Sequence, residues 1–204
     1  MEDKFPWYRI AEAHEELEQG DFIDECPVLL PTYSPIEIED NTSDKQAGFH
    51  VKGVEEIRDL VIVSQSCVLE NGKIDFVHLC PRLSYSQFVA IARNLGHTDS
   101  TIFSNLNAIR LGRVNRYCML EQCRLTNFSR EIQIVDFGID YFIPFEVMKR
   151  MAQSTREKVR LLSPYKEHLA QAFGYFHMRV ALPNPIAEFV KPKVPMQAGL
   201  KLPR

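Results

Sequence analysis

The chain has 204 residues with a formal net charge of −3 at pH 7, and 45% of its residues are hydrophobic and 25% charged. These values are ordinary for a globular protein, and they exclude a chain that binds nucleic acid through its overall charge. A local basic patch is compatible with them. A chain of this length buries roughly 70% of the surface of its unfolded state, so it can fold without disulfide bonds.

Five cysteines occur without the spacing of a disulfide framework, and the first residues, MEDKFPWYRI, are charged and lack an apolar signal core. No segment approaches the ~18 consecutive apolar residues that span a bilayer. We therefore expect a cytoplasmic protein with free thiols and no membrane contact.

The first part of the chain is predicted to contain one helix and two short strands. Apolar residues at helical spacing, ended by Gly20, predict a helix over residues 6–19. Residues 26–30 and 50–54 are predicted strands, and the prolines beside the first suit the edge of a sheet. The acidic segment 35–47 between them is predicted to be a mobile loop.

The strongest structural signal is residues 59–81, DLVIVSQSCVLENGKIDFVHLCP. Two β-branched apolar runs flank a polar turn, and the Asn-Gly pair at 71–72 is typical of a tight β-hairpin. Such a hairpin would bring Cys67, His78 and Cys80 into one small region. A strong structural signal and reactive residue types coincide here.

Four helices and a second hairpin are predicted after this point. The helices lie at residues 86–96, 99–108, 144–151 and 163–180, and the hairpin joins residues 116–125 to 131–137. The last helix is the clearest, because Ser163 suits its N-cap, Pro164 its first turn and an apolar stripe follows. Five prolines in residues 183–204 predict an extended tail.

Together these elements predict a single α+β domain over residues 1–182. Its core, residues 20–137, is expected to be a strongly bent antiparallel sheet or a small SH3-like β-barrel, with a helical insertion at 84–112. Several helices would pack on the outside, and the last would be a long C-terminal amphipathic helix. The tail 183–204 would contact a protein partner.

Cys67 is a candidate nucleophile because it lies where a predicted strand gives way to a turn. A reactive thiolate needs a base or a positive charge nearby, and His78 on the facing strand or Arg58 before the first strand could provide it. The alternative is that Cys67 and Cys80 are small buried hydrophobic residues, as most free cysteines are.

Metal binding finds little support in the cysteine spacing. Cys118 and Cys123 lie on one predicted strand with side chains on opposite faces. Cys67, His78 and Cys80 could supply three ligands, but no CxxC or HxxxH pair anchors them. We therefore predict no metal site and no cofactor.

The most basic local segment, AIRLGRVNRY, carries Arg110, Arg113 and Arg116 and ends in Tyr117. Guanidinium groups on a loop beside an aromatic ring suit contacts with RNA phosphates and bases. The alternative is an ordinary solvated loop. These four residues are the predicted nucleic-acid-binding group, and RNA is the expected partner.

Over about a third of the chain, the order of segments resembles the growth-inhibitor ribonuclease toxins of the PemK and MazF type. A Gly-Asp pair comes at 20–21, Arg58 leads the strand LVIVS, and a second strand, VHLCP, follows a turn. The resemblance implies a small SH3-like barrel and, in active members, metal-independent RNA cleavage that uses the arginine and a threonine. Arg58 would be the catalytic arginine, while the threonine position falls at Leu83, which has no hydroxyl, so Ser84, one residue later, is the candidate catalytic hydroxyl.

Three functions follow as hypotheses. The first is a bacterial cytosolic, RNA-directed toxin-like or defence-associated protein with metal-independent endoribonuclease activity, in which Arg58 stabilises the charge of the transition state. The second is a non-catalytic protein-interaction module that uses the barrel and the tail, and the aliphatic Leu83 favours it. The third is a thiol-dependent enzyme with Cys67 as nucleophile and His78 as base.

Overall fold

The computed structural model describes residues 5–38, 46–154 and 157–178 and shows an α+β fold built on antiparallel sheets. The strands are β1 Tyr8–Glu12, β2 Phe22–Ile38, β3 Gln46–Ile62, β4 Phe76–Ser84, β5 Tyr117–Leu120, β6 Gln133–Asp136, β7 Tyr141–Pro144 and β8 Glu157–Leu161. The helices are α1 Ser66–Glu70, α2 Tyr85–Asn94, α3 Asp99–Arg110, α4 Phe145–Ser154 and α5 Tyr165–His177. The predicted α+β class is confirmed.

Strand β4 organises the larger sheet, whose order is β2-β3-β4-β6-β5 with β7 paired to β4. Its first residues pair with β7, its middle pairs with β3 through Leu60↔Pro81, and its end pairs with β6 through Ser84↔Gln133. Strands β1 and β8 form a separate two-stranded sheet. Among the described strands, β2 and β5 are the two ends of this sheet and do not pair with each other. The prediction allowed an antiparallel sheet or a small SH3-like barrel: the antiparallel sheet is confirmed, and no closed barrel forms among these strands.

The β3–β4 pair is buried on both faces. Val61 and Cys80 face one hydrophobic cluster, which also contains Phe137, Leu161 and Leu169. The neighbouring Leu60, Ile62 and Leu79 face a second cluster around Met148 of α4. Side chains alternate across a strand, so burial on both faces requires an unbroken apolar run. This explains the sequence LVIV at the end of β3.

The predicted helix over residues 6–19 is wrong, because β1 occupies this segment. Tyr8–Glu12 pairs along its whole length with β8, from Tyr8↔Leu161 to Glu12↔Glu157. β8 was absent from the predicted elements, so the partner that makes this segment a strand was missing as well. Tertiary pairing therefore overrides the local helical spacing.

The predicted tight hairpin at residues 71–72 is also wrong, although its two strands do pair antiparallel. Helix α1 stands between them, and Cys67 lies in that helix rather than on a strand. Asn71 ends α1 with its backbone N–H donating to Leu69 O, and Gly72 follows with φ +56°. An Asn-Gly pair suits a helix end as well as a turn, since both need a residue with positive φ.

Several other predictions are confirmed. The strands at residues 26–30 and 50–54 belong to β2 and β3, the second hairpin is β5–β6, and helices occur near 86–96, 99–108, 144–151 and 163–180. The predicted loop at 35–47 is wrong where it is described, because β2 and β3 stay paired as far as Ile38↔Gln46. The two strands are held together by backbone hydrogen bonds. The acidic side chains of this segment gave no indication of that pairing.

Helices α2 and α3 lie where the helical insertion 84–112 was predicted. The proposed boundary at 182 and the tail 183–204 lie outside the described residues. Within the described ranges, no helix is both long and apolar enough to cross a membrane.

Candidate functional site

A cavity of about 540 Å³ lies between the sheet and helices α2 and α3, and we call it the sheet–helix cavity. Side chains of α2 and α3 form an apolar wall that includes Phe88, Ile91, Leu95 and Ile102. The Phe88 ring meets the ring of Tyr117 edge-on, with centroids 5.6 Å apart. The cavity is therefore mostly apolar with a small number of polar groups, which is typical of a small-ligand site.

The polar groups of the sheet–helix cavity include two arginines that are distant in sequence. Arg58 comes from β3, Arg116 precedes β5, and Tyr117, next to Arg116, also lines the cavity. Arg58 is paired with the Glu56 carboxylate. The structure thus brings together one predicted catalytic residue and two of the predicted nucleic-acid-binding residues.

Asp136 fixes the orientation of Arg116. Arg116 Nε donates to Asp136 Oδ1 and Arg116 Nη2 to Asp136 Oδ2, both at 2.8 Å. The hydrogen bonds to the Asp136 carboxylate raise the pKa of Arg116 above its usual value. The Arg116 Cζ atom lies 5.3 Å from the centre of the Tyr117 ring. Asp136 therefore occupies the bidentate edge of the guanidinium and fixes it beside the aromatic ring.

The other predicted RNA-binding arginines do not join this cavity. Arg110 lines a separate cavity of about 400 Å³ with Trp7 and Tyr165, and Tyr117 lies on the boundary of both cavities. Arg113 is exposed just after α3. The arginine segment is therefore split between two cavities and the surface, because α3 ends within it.

Ser84 and Leu83 have different surroundings although they are neighbours. Leu83 lines the sheet–helix cavity, where the resemblance places a threonine. Ser84 is the N-cap of α2: its Oγ accepts from Gln87 N at 3.2 Å, and Gln87 Oε1 accepts from Ser84 N at 2.8 Å. This reciprocal capping box occupies the hydroxyl that was predicted to be catalytic.

Cys67 and His78 have different partners among the described residues. Cys67 is exposed, and its thiol donates to Gln65 Oε1 at 3.8 Å. His78 instead directs its Nε2 at Asp140 Oδ1, 2.6 Å away. The facing-strand geometry expected for a Cys67–His78 pair is absent because α1 removes Cys67 from the sheet.

His78, Cys80 and Asp140 form a second arrangement, which we call the His78 cluster. His78 and Cys80 are two residues apart on β4, so their side chains lie on the same face of the strand. Asp140 immediately precedes β7, and the pairs His78↔Phe142 and Leu79↔Tyr141 bring it opposite Cys80. The Cys80 thiol lies 3.8 Å from Asp140 Oδ1. Burial, together with the charge of Asp140, raises the pKa of Cys80 well above its usual value.

Aromatic residues hold the His78 ring in place. The ring is stacked on Phe142 at 4.3 Å and meets the edge of Phe173 at 4.9 Å. His177, at the end of α5, has its ring centroid 6.4 Å from that of His78. The imidazole is therefore fixed between β7 and α5 with one nitrogen directed at a carboxylate.

Sequence reasoning missed the two carboxylates that organise these arrangements, Asp136 and Asp140. Both belong to the segment DFGID at the end of the second predicted hairpin. Two aspartates on either side of a Phe-Gly pair are a pattern from which a polar site could have been predicted. Their partners lie on other strands, which only the pairing of β4, β6 and β7 reveals.

Comparison of the chain with protein-family models, with curated proteins and with solved structures finds no match. Function is therefore inferred from the sheet–helix cavity and the His78 cluster themselves.

Proposed function

We propose that this protein binds single-stranded RNA and holds one nucleotide of it in the sheet–helix cavity. The observation that carries the proposal is the convergence of Arg58, Arg116 and Tyr117 on one mostly apolar cavity. Proteins that bind single-stranded RNA combine cationic groups for the backbone with aromatic or guanidinium surfaces for the bases.

Within the part of the chain that the structure describes, each arginine keeps free donors for a phosphate. A guanidinium has five N–H donors. Arg116 directs Nε and Nη2 to Asp136, which leaves Nη1, and the ion pair of Arg58 with Glu56 runs through Nη2 alone. The carboxylates orient the two side chains, and the remaining donors would contact the RNA backbone while a base lies against Tyr117 and the apolar wall.

RNA cleavage is the further part of the proposal. Arg58 would stabilise the negative charge that develops on a phosphate during cleavage. Leu83 supplies no hydroxyl, and Ser84 Oγ is engaged in capping α2. These surroundings support binding more strongly than catalysis, so we test the two activities separately.

The binding test uses a fluorescent single-stranded oligoribonucleotide and anisotropy at several salt concentrations. We expect Arg58→Ala and Arg116→Ala each to weaken binding and to lower the salt slope by about 0.7 per lost phosphate contact. Arg93→Ala is the matched control, because Arg93 is also paired with a carboxylate, that of Asp99, but does not line the cavity. Equal effects of the three substitutions would contradict the proposal.

The cleavage test is incubation of the protein with mixed cellular RNA in the presence of EDTA. Cleavage that is lost in Arg58→Ala and kept in Arg93→Ala would support a metal-independent ribonuclease. Intact RNA with the wild-type protein would exclude cleavage and leave the binding proposal to the anisotropy measurement.

A second candidate function, a protein-interaction module, is favoured by the β2–β3 hairpin. Residues that pair directly across two strands share a face, and the pairs Tyr33↔Val51 and Pro35↔Phe49 therefore lie on one side of the hairpin. Leu29 and Ile57 belong to the same side, and all these large side chains are exposed. An exposed apolar stripe of this kind is typical of a surface that contacts another protein.

The stripe can be tested with the double substitution Leu29→Ser and Tyr33→Ser. We expect proteins that co-purify with the wild-type chain to be lost with this variant and kept with Arg93→Ala. Identical co-purifying proteins for the wild type and the double variant would contradict a role for the stripe.

A further inference from the structure

We propose that the His78 cluster binds a zinc-like divalent transition-metal ion through His78, Cys80 and Asp140, with His177 as the fourth ligand. This proposal does not depend on RNA binding, because none of these residues lines the sheet–helix cavity. It rests on the convergence of three different ligand types from β4 and from the residue before β7.

The distances suit a tetrahedral ion. The ligand atoms of His78, Cys80 and Asp140 all lie within 4.8 Å of one another. Atoms bound to a tetrahedral zinc ion at the usual bond lengths lie about 3.3–3.6 Å apart. The Cys80 Sγ to Asp140 Oδ1 distance of 3.8 Å is close to this value. The 2.6 Å hydrogen bond between His78 and Asp140 would open by less than about 1 Å.

The donor set selects the class of metal. Imidazole nitrogen and thiolate sulfur favour zinc and related transition metals, whereas calcium and magnesium prefer oxygen ligands alone. Cys80 is fully buried, while His78 and Asp140 keep side-chain exposures of 21% and 32%. The thiol is therefore protected from solvent, and the other two ligands leave a path by which an ion can enter.

If His78 and Asp140 served only as a structural hydrogen-bonded pair, they would need neither a thiol nor a second imidazole nearby. Here Cys80 directs its thiol at the same carboxylate oxygen that His78 contacts. His177 lies near His78, with ring centroids 6.4 Å apart, and coordination would require its exposed side chain to change rotamer. Three potential ligands, from β4 and from the residue before β7, therefore converge on one position, with a second imidazole nearby on α5.

Coordination would change the protonation of the cluster in a defined way. Cys80 would release its thiol proton to solvent and bind as a thiolate. His78 would bind through Nε2 and carry its proton on Nδ1, and Asp140 would exchange its hydrogen bond for a metal–oxygen bond. The ion would link the end of α5 to the β4–β7 edge through His177.

The experiment uses the full chain, purified without a histidine tag and freed of metal with a chelator. Co²⁺ is added and absorbance is recorded, because a cobalt thiolate in tetrahedral geometry has a charge-transfer band and intense visible bands. We expect saturation at one Co²⁺ per chain, and displacement of the bands by Zn²⁺. Failure of the wild-type protein to develop a thiolate charge-transfer band would overturn the proposal.

Variants assign the ligands. Cys80→Ala should remove the charge-transfer band, while Cys26→Ala, at another fully buried cysteine, and Cys67→Ala should keep it. Asp140→Asn preserves the size of the side chain and should weaken Co²⁺ binding by more than the roughly 10–100-fold lost when an outer-shell partner is changed. A band that persists unchanged in Cys80→Ala, or an affinity unchanged in Asp140→Asn, would overturn the site.

His177→Ala tests the fourth ligand alone. We expect the charge-transfer band to remain and the visible bands and affinity to change, since one nitrogen ligand is replaced by water. Unchanged spectra and affinity would overturn the assignment of His177. Circular dichroism of each variant identifies any loss of folding, and Asp140→Asn provides the assignment if Cys80→Ala does not fold.

Discussion

Arg160 Nη2 lies 2.9 Å from Asp21 Oδ2, and both side chains are buried. Arg160 belongs to β8 and Asp21 immediately precedes β2, so the pair joins the two sheets. Arg160 Nε also donates to Asp21, Nη1 to Glu15 and Glu18, and Nη2 to the backbone oxygen of Glu16, so all five N–H donors are satisfied. The positive charge of Arg160 is therefore balanced by carboxylates and hydrogen-bond acceptors around it, as burial of an arginine requires.

The buried pair leads to the first prediction, which concerns stability. Asp21→Ala leaves Arg160 buried without its main partner, and removing one member of such a pair costs roughly 3–5 kcal/mol. Urea unfolding at neutral pH measures this loss. Asp99→Ala, which breaks the exposed pair with Arg93, should cost less than about 1 kcal/mol. Equal losses in the two variants would contradict the role assigned to Asp21.

Glu15 leads to a prediction about pH. Two hydrogen bonds from Arg9 and one from the Glu12 backbone N–H lower the pKa of Glu15 from 4.5 to about 2. A carboxyl whose pKa is lower in the folded state stabilises the fold above its unfolded pKa, and this stabilisation is lost as pH falls. The free energy of unfolding should therefore decrease between about pH 4.5 and 2. Glu15→Gln should flatten the decrease in this window, and a curve identical to wild type would contradict the prediction.

Ser84 should affect stability rather than chemistry. Ser84→Ala removes the acceptor for Gln87 N at the start of α2 and should lower the free energy of unfolding by about 1 kcal/mol. Ser84→Asp retains an acceptor and should recover most of this loss. RNA binding and any RNA cleavage should be unchanged in both variants under conditions where they remain folded. Loss of cleavage with normal stability would instead restore a catalytic role for Ser84.

The sheet–helix cavity can be blocked without changing any charge. Ala92 lines the cavity from α2, whereas Ala90 is exposed on the same helix and does not. Ala92→Trp should fill the cavity and abolish RNA binding, and Ala90→Trp should leave the affinity unchanged. The anisotropy measurement compares the two. Normal binding by Ala92→Trp would show that RNA contacts only the outer surface.

Cysteine labelling separates the thiol-dependent alternative from the others. Cys67 is exposed, whereas Cys26, Cys80 and Cys123 are buried, and Cys118 is half-buried with a pKa that its surroundings raise by desolvation. Brief treatment with iodoacetamide should therefore add one label, detectable by mass spectrometry and absent in Cys67→Ser. RNA binding should survive the label, because Cys67 does not line the sheet–helix cavity. Loss of an activity through both the label and Cys67→Ser would favour the thiol-dependent enzyme.

Local sequence was a good guide wherever an element depends on its own residues. Helices α2, α3 and α5 were predicted from apolar spacing and turn residues, and the β5–β6 hairpin from its alternation. The helix starts were less accurate: α2 was predicted to begin at residue 86 but is capped by Ser84, and the N-cap of α5 is Pro164 rather than the predicted Ser163. Helix hydrogen bonds and side-chain periodicity are local, so the residues of the segment itself are enough to specify them.

Local sequence failed where a segment depends on a distant partner. β1 needs β8, more than a hundred residues away, and without that partner its spacing resembles a helix. Cys67 was expected beside His78, but α1 separates it from the sheet and Asp140 takes its place. Pairing registers between distant strands leave little trace in one sequence, because each strand shows only its own pattern of exposure.

The sequence by itself determined the α+β class, the position of most helices and the residue types available for chemistry. Only the tertiary structure decided which of them meet. It placed Arg58 and Arg116 around one cavity, although β4 and β6 separate β3 from β5 in the sheet, and it placed His78 beside Asp140 through the β4–β7 register. Side chains far apart in the chain become neighbours through backbone pairing and close packing, and these are properties of the folded molecule as a whole.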